Sequence, residues 1–433
     1  MKEDIFTIIE EVKQQAVLIG MDRGIRGEID ITQSMEELAE LVKAAGGIVL
    51  HSMVQNKSTI EAATYIGKGK VEEVRDAAHA LGANLVIFND ELSGAQIRNL
   101  EGVIGMRVID RTALILDIFA LRAQSHIAKL QVELAQIRYR LPRLIGLGSE
   151  LSRTGGGIGT RGPGEQKLEI DRRRINDRIN DIRNRLKDAQ EQRQVTRQQR
   201  IKNEIPVVAL VGYTNAGKSS IMNAFINRFG SEGEDKQVFE KDMLFATLDT
   251  FHRKIAIDDH KAFILIDTVG FVSKLPHALV EAFKATLEEV IHADLLIHVV
   301  DASNPYYELQ MRVTDETLTE LGASEHEELC VFNKADLFDG ERAYPRADLW
   351  TSMKTHEGFD QLVEIIDRRI FTTMRRIKLL VPYADGSTLS RIMDVGKVYQ
   401  TTYEEQGTCV DVELDIPDYE KYKHYLQVET QNV

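Results

Sequence analysis

Two cysteines, one tryptophan and eight prolines in 433 residues are what this chain is short of. Cys330 and Cys409 lie far apart, so there is no disulfide framework and no cysteine spacing for a metal. Cys330 sits in the apolar run Leu329-Cys330-Val331-Phe332, which suits a buried structural thiol. No apolar stretch approaches the ~20 residues that cross a bilayer, and no signal-peptide pattern opens the chain. These absences point to the cytoplasm. Positive charge is also scarce overall: the net charge is −14, which by itself argues against a nucleic-acid binder. With 43% hydrophobic and 28% charged residues, the chain can still bury several cores, and its length fits three or four units.

The charge is unevenly spread. Residues 138–200 carry 16 Lys and Arg against 8 Asp and Glu, a net of +8 that leaves −22 on the rest. Such a segment is either a footprint for a polyanion or a solvated helix face laced with ion pairs.

What the chain has is Val207 to Ser220, VVALVGYTNAGKSS. An apolar strand, a glycine loop and a helical segment follow one another, matching G-x-x-x-x-G-K-[ST]. Gly212 and Gly217 let backbone N–H groups turn inward around a polyphosphate, with the new helix aiming its positive end at the same anion. Gly212, Tyr213, Thr214, Asn215, Ala216, Gly217, Lys218, Ser219 and Ser220 form the candidate cradle. Lys218 supplies charge to the terminal phosphates and Ser219 a hydroxyl to Mg²⁺.

Three further motifs follow in order. Leu244 to Asp249 contains Phe245 and Thr247, and from its position Thr247 can reach the metal and the last phosphate. The buried strand Phe263–Asp267 ends in D-x-x-G, placing Asp267 toward the metal and the Gly270 N–H toward the terminal phosphate. Asn333-Lys334-Ala335-Asp336 ends another strand; Asp336 can accept both edge N–H groups of guanine, which adenine cannot offer together. Asn333 braces the loop and the Lys334 stem covers the base. Ser352, Met353 and Lys354 complete the base site through the Met353 N–H. The catalytic candidates are thus Lys218, Thr247 and Gly270; the metal candidates are Ser219, Thr247 and Asp267. Phe271 stands where Ras-like enzymes place a water-orienting glutamine, which predicts slow unaided hydrolysis.

The expected fold class is α/β and multidomain. Residues 1–110 alternate strands (Ala16–Gly20, Gly47–Leu50, Asn84–Phe88) with helices (Ser34–Ala45, Lys70–Leu81, Ser93–Leu100), an α/β domain with parallel pairing. Its turn Tyr65 to Lys70 reads as an ordinary βα turn or as a small anion site. Residues 111–200 read as a long antiparallel helical hairpin: one seam is Leu130, Leu134, Ile137 and Leu141, ended by Pro142, and the other is Leu168, Arg172, Ile175, Ile179, Ile182 and Leu186. Between them Gly146 to Glu165 holds eight of the 30 glycines, with Arg153 and Arg161. It is a flexible connection, or a loop that orders on phosphates together with Arg172, Arg173 and Arg174. Residues 205–372 form a doubly wound P-loop GTPase domain and 375–433 a small C-terminal α/β domain, whose last 30 residues carry 8 acidic side chains against 2 basic.

GGGIGTRGPGE (155–165), QVELAQ (131–136), DRRR (171–174), GYTNAGKS, FATLD, DTVGF and NKAD, in this order, resemble the HflX family of ribosome-associated GTPases in the Obg-HflX superfamily. Ile127 stands where an acidic residue is expected before the QVEL stretch, and Met353 where alanine is usual. The resemblance implies a monomeric GTPase that takes GTP and GDP with Mg²⁺, binds the large ribosomal subunit and ribosomal RNA through Arg153, Arg161 and Arg172–Arg174, and splits stalled ribosomes under stress. It also implies ATP binding and RNA unwinding by the N-terminal region, here near Gly67 to Lys70, and peripheral membrane association. Two rival functions stay open: a GTP-dependent switch that docks a protein partner, and an RNA-dependent NTPase.

Overall fold

In the N-terminal part, alternating apolar runs and amphipathic helices build one parallel sheet in the order β2-β1-β3-β4. β1 (Gln15–Asp22) and β3 (Leu85–Phe88) are its buried centre, and β2 (Ile48–Asn56) is the partly exposed edge. β2 runs on to Asn56 instead of stopping at Leu50, because all of β1 pairs with it. β4 (Arg107–Asp110), paired in parallel with β3, is a fourth strand that the apolar pattern did not announce. Helices α1 (Ile31–Ala44), α2 (Lys68–Ala80) and α3 (Gly94–Ile104) connect the strands. Their starts are chemically marked: the Asp30 carboxylate accepts the Thr32 N–H at 2.8 Å, and Ser93 with Gln96 forms a capping box. At the turn before α2 the Gly67 N–H donates to Gln55 Oε1 at 2.9 Å, and Lys70 pairs with Glu73.

The computed structural model describes residues 13–25, 29–145, 163–202, 205–230, 244–245, 250–258, 261–275, 290–323, 325–371 and 374–427. The glycine stretch 146–162, with Arg153 and Arg161, lies outside these residues, as does Thr247.

After β4 the expected single helix is two. α4 (Arg111–Arg122) is capped by Asp110, whose carboxylate accepts the Ala113 N–H at 2.8 Å, and the helix stops before Ala123. α5 (His126–Ile145) then carries the seam. Pro142 does not end α5 but lies inside its last turn, where it can make no helical N–H bond to the Arg138 carbonyl and its ring crowds that group. There the Arg143 guanidinium donates to the Tyr139 carbonyl at 2.6 Å and stacks over the Tyr139 ring. α6 (Pro163–Lys202) returns antiparallel. Leu130 and Leu134 bury against Ile179 and Ile182, flanked by Ile137, Leu141, Ile175 and Leu186. Arg172, which spacing assigned to this seam, is exposed; the described seam runs from Ile175, and the Leu168 side chain lies outside the described residues.

The second sheet is six-stranded, in the order β10-β9-β8-β5-β7-β6. β5 (Val207–Gly212), β7 (Ala262–Asp267), β8 (Leu295–Asp301), β9 (Glu328–Asn333) and β10 (Leu349–Trp350) are parallel, and β6 (Phe251–Ala256) is the antiparallel edge. α7 (Lys218–Phe229), α8 (Tyr307–Leu321) and α9 (Phe359–Ile370) flank it. β5, in the middle, reads as an unbroken apolar run because both its faces are covered. A third sheet, β11 (Arg375–Val381), β13 (Gly407–Leu414) and β12 (Lys397–Glu404), is antiparallel and carries α10 (Gly386–Val395) and α11 (Ile416–Tyr422). Buried Lys261 ties it to the nucleotide domain, 3.1 Å from both Asp367 and Glu413.

One apolar cluster runs from the N-terminal sheet into the nucleotide domain, joining Leu114, Ile118 and Phe119 of α4 to Tyr213, Phe245 and Phe271. The hairpin seam, in contrast, is a cluster of its own. Ile182→Ala, at a fully buried seam position, is therefore expected to cost about 2–4 kcal/mol of hairpin stability. Amide exchange should quicken in α5 and α6 while β5, β8 and β9 keep their protection.

Candidate functional site

The strand ends of the second sheet converge on a cleft of about 590 Å³. At its floor β5 turns into α7 through Gly212 to Gly217, with φ of +139° and +98° at the two glycines. A Cβ on Gly212 would lie 2.3 Å from the Val299 carbonyl oxygen, and one on Gly217 2.0 Å from Asn333 Nδ2. No other residue fits either position, so the loop's shape follows from those two glycines. Thr214, Asn215, Gly217, Lys218, Ser219 and Ser220 line the cleft. Ala216 is buried beneath it; the Tyr213 side chain points away, toward the N-terminal sheet.

Lys218 is buried, and Nζ donates to the carbonyls of Gly212 at 3.0 Å and Tyr213 at 2.8 Å. Burial lowers its pKa to about 8, opposed by the Asp267 charge. Asp267 is fully buried and Oδ2 accepts the Ser219 hydroxyl at 2.7 Å, while Oδ1 meets no donor among the described residues. Burial raises its pKa to about 6, against the pull of Lys218 and the Ser219 hydrogen bond. Because that value exceeds the unfolded one, this group favours the ligand-free fold at low pH, and the contribution is lost as pH rises through about 6. A hydroxyl beside a buried carboxylate oxygen that lacks a partner is a donor set suited to a hard divalent cation. Gly270 closes the same end: a Cβ there would stand 2.7 Å from Thr214 Cα and 2.9 Å from Lys218 Nζ.

At the other end Asn333 Nδ2 donates to the Ala216 carbonyl at 3.0 Å, fastening the base-reading loop to the phosphate loop. The Met353 N–H reaches Asn333 Oδ1 at 3.4 Å. Lys334, at φ +61°, pairs with Asp301 at 2.8 Å, which extends its stem along the cleft wall. Asp336 Oδ1 accepts the Ser352 hydroxyl at 2.7 Å, and the Lys354 ammonium stands 4.0 Å from Oδ2. Phe245 is buried at the cleft's edge, edge-on to Phe119 of α4 with centroids 4.6 Å apart. Asn223, Leu337 and His356 also line the cleft. Asn223 lies one helical turn past Ser219, a signal available only once the helix is granted.

The closeness of Gly270 to backbone and to Lys218 makes it a sensitive position. Gly270→Ala should cut the rate of GTP hydrolysis by roughly tenfold or more by pushing the turn off the phosphate end. GDP affinity, which depends on the cradle and the base site, should stay within a few-fold; stopped-flow binding beside a phosphate-release assay checks both.

Three family models follow one another between residues 32 and 334: a GTP-binding GTPase N-terminal region over residues 32–120, a GTP-binding GTPase middle region over 122–200, and a 50S ribosome-binding GTPase domain over 207–334. The GTPase HflX of Caldanaerobacter subterraneus is 45% identical over 414 residues, covering 96% of this chain and 94% of the relative. The GTPase HflX of Escherichia coli is 40% identical, covering 90% and 91%. Among solved structures, a GTP-binding protein from Sulfolobus solfataricus in complex with GDP matches 83% of this chain and 99% of its own, at 22% identity and a TM-score of 0.43. With relatives this similar over nearly the whole length, and with the cradle and base-reading motifs at the strand ends, the chain belongs to the HflX family and is a GTPase that binds guanine nucleotide.

Proposed function

We propose that this GTPase works on the large ribosomal subunit, docking through its basic hairpin in the GTP state and splitting stalled ribosomes under stress. The observation that carries the reading is how the hairpin divides its arginines. Arg178 makes a bidentate pair with Glu133 at 2.7 and 2.8 Å and a third contact with Asp181, and Arg185 reaches His126 and Asp181. These cations are spent on holding α5 to α6. Arg172, Arg174 and Arg183 are exposed and make no ion pair or hydrogen bond with a described residue. Among the described residues no structural partner accounts for them, and phosphates would. The ribosome-binding description of the matching GTPase domain supports the same partner. Arg153 and Arg161 would add to this surface. The setting is cytoplasmic; no described helix is long and apolar enough to cross a membrane.

Hydrolysis turns GTP and water into GDP and phosphate. Ser219, Thr247 and Asp267 would hold Mg²⁺, whose chemistry there would be neutralisation of phosphate charge. Lys218 releases the Gly212 and Tyr213 carbonyls and turns to the terminal phosphate, and the Gly270 N–H donates to it. Asp336 holds the guanine edge. Phe271 is buried and has no group to orient water, so the free protein turns over slowly and the ribosome completes the site.

Two outcomes follow. Large ribosomal subunits should raise the hydrolysis rate strongly in moderate salt, and the triple change Arg172→Glu, Arg174→Glu, Arg183→Glu should abolish ribosome binding in sedimentation at that salt. Unchanged binding would favour a switch that docks a protein. Separately, Asp267 must ionise to accept a cation, so Mg²⁺-dependent GTP affinity should rise between about pH 5 and 7 and level off above. Titration calorimetry on Asp267→Asn should show weak binding with that slope gone.

A further inference from the structure

Glu37 lies in α1 of the N-terminal sheet, yet its carboxylate faces the nucleotide domain and is only 13% exposed. Oε1 accepts the Tyr213 hydroxyl; Oε2 accepts the Ser273 hydroxyl and the Arg111 guanidinium. The Ser273 N–H donates to Tyr213 Oη at 2.6 Å. Arg111, 1% exposed, also donates from Nη2 to the Ser273 carbonyl at 3.1 Å and hydroxyl at 2.9 Å, and from Nη1 to Asn89 Oδ1 at 3.0 Å. A second tie joins Lys274 to Asp90 at 2.6 Å.

The two residues that Glu37 grips sit at decisive places. Tyr213 is the second residue of the phosphate loop, and Ser273 comes soon after Gly270. Backbone already couples these segments: the Thr214 N–H donates to the Phe271 carbonyl at 2.8 Å and the Phe271 N–H to the Gly212 carbonyl at 3.2 Å. Gly270 is therefore enclosed by a clamp whose outer jaw belongs to another domain. We propose that Glu37, with Arg111 as its charge partner, is a positioning residue for GTP hydrolysis, holding the Asp267–Gly270 turn against the phosphate loop. It touches neither nucleotide nor metal. It acts through Tyr213 and Ser273, fixing where the Gly270 N–H stands relative to Lys218. The inference needs only the GTPase activity of the family and is independent of the ribosomal reading.

A group that fixes transition-state geometry affects turnover more than binding. The test uses the full-length protein with Glu37→Gln, Tyr213→Phe and the double variant, measuring kcat and KM for GTP, GDP affinity and thermal unfolding. Glu37→Gln keeps the side-chain shape but removes the charge opposite Arg111. Tyr213→Phe removes one hydroxyl and leaves the Glu37–Arg111 pair intact, so it reports even where the first variant unfolds early. Each single change should lower kcat about tenfold with KM and GDP affinity within about twofold. The double variant should fall no more than about twofold below the worse single, since both break one link. The proposal is overturned by unchanged kcat in folded Tyr213→Phe protein, by kcat and GDP affinity falling together with the unfolding temperature, or by a rise in kcat, which would make the contact a restraint.

Discussion

A guanidinium withdrawn from water keeps its charge only where acceptors surround it, and Arg111 finds them on both sides of a domain boundary. The Glu37 carboxylate neutralises it, and Nη1 and Nη2 are shared between Asn89 and Ser34 of the N-terminal domain and Ser273 of the nucleotide domain, while Nε meets no acceptor among the described residues. Every partner has its place fixed by another element: α1 carries Glu37, the end of β3 leads to Asn89, and the D-x-x-G segment leads to Ser273. The apolar cluster from Phe119 to Phe245 and Phe271 provides the adhesion between the domains, but it is non-directional and would tolerate sliding. The hydrogen bonds that this ion pair sends across the boundary, from Arg111 to Ser273 and from Tyr213 and Ser273 to Glu37, are directional and tie the two domains at named atoms.

The nucleotide site was legible in the sequence because its chemistry is local. A cradle needs glycines where the backbone must approach other atoms closely, and Gly212 and Gly217 meet Val299 and Asn333 at distances no side chain survives. The base reader needs Asn333 and Asp336 at one strand end, and such spacing is visible without a fold. What stayed hidden depends on residues far apart in the chain. Nothing around Glu37 marks it as the acceptor for Tyr213, and the phosphate-loop motif leaves that tyrosine position free. β4 has too few apolar residues to stand out and forms because β3 offers it an edge. Pro142 misled for a different reason: its turn is also held from outside the helix ladder, by Arg143 donating to the Tyr139 and Leu92 carbonyls and stacking on the Tyr139 ring.

The hairpin follows a related logic. Helical spacing gave Ile175, Ile179, Ile182 and Leu186 of its seam, but charge alone could not separate arginines that hold the two helices together from arginines left over. The fold separates them: Arg178 and Arg185 lie beside carboxylates or a histidine, and Arg172 and Arg183 on the opposite flank do not. An acidic protein can therefore present a positive strip without a positive total.

α6 is one unbroken helix of 40 residues, about 60 Å long, and its C-terminal end lies only a few residues before β5, the strand that carries the phosphate loop. A tilt of a few degrees at that end would sweep the far one, where Arg172 and Arg174 sit, through several ångströms. Were the helix to follow a small shift at the cleft as a rigid rod, those arginines would move by that shift enlarged by the length of the helix.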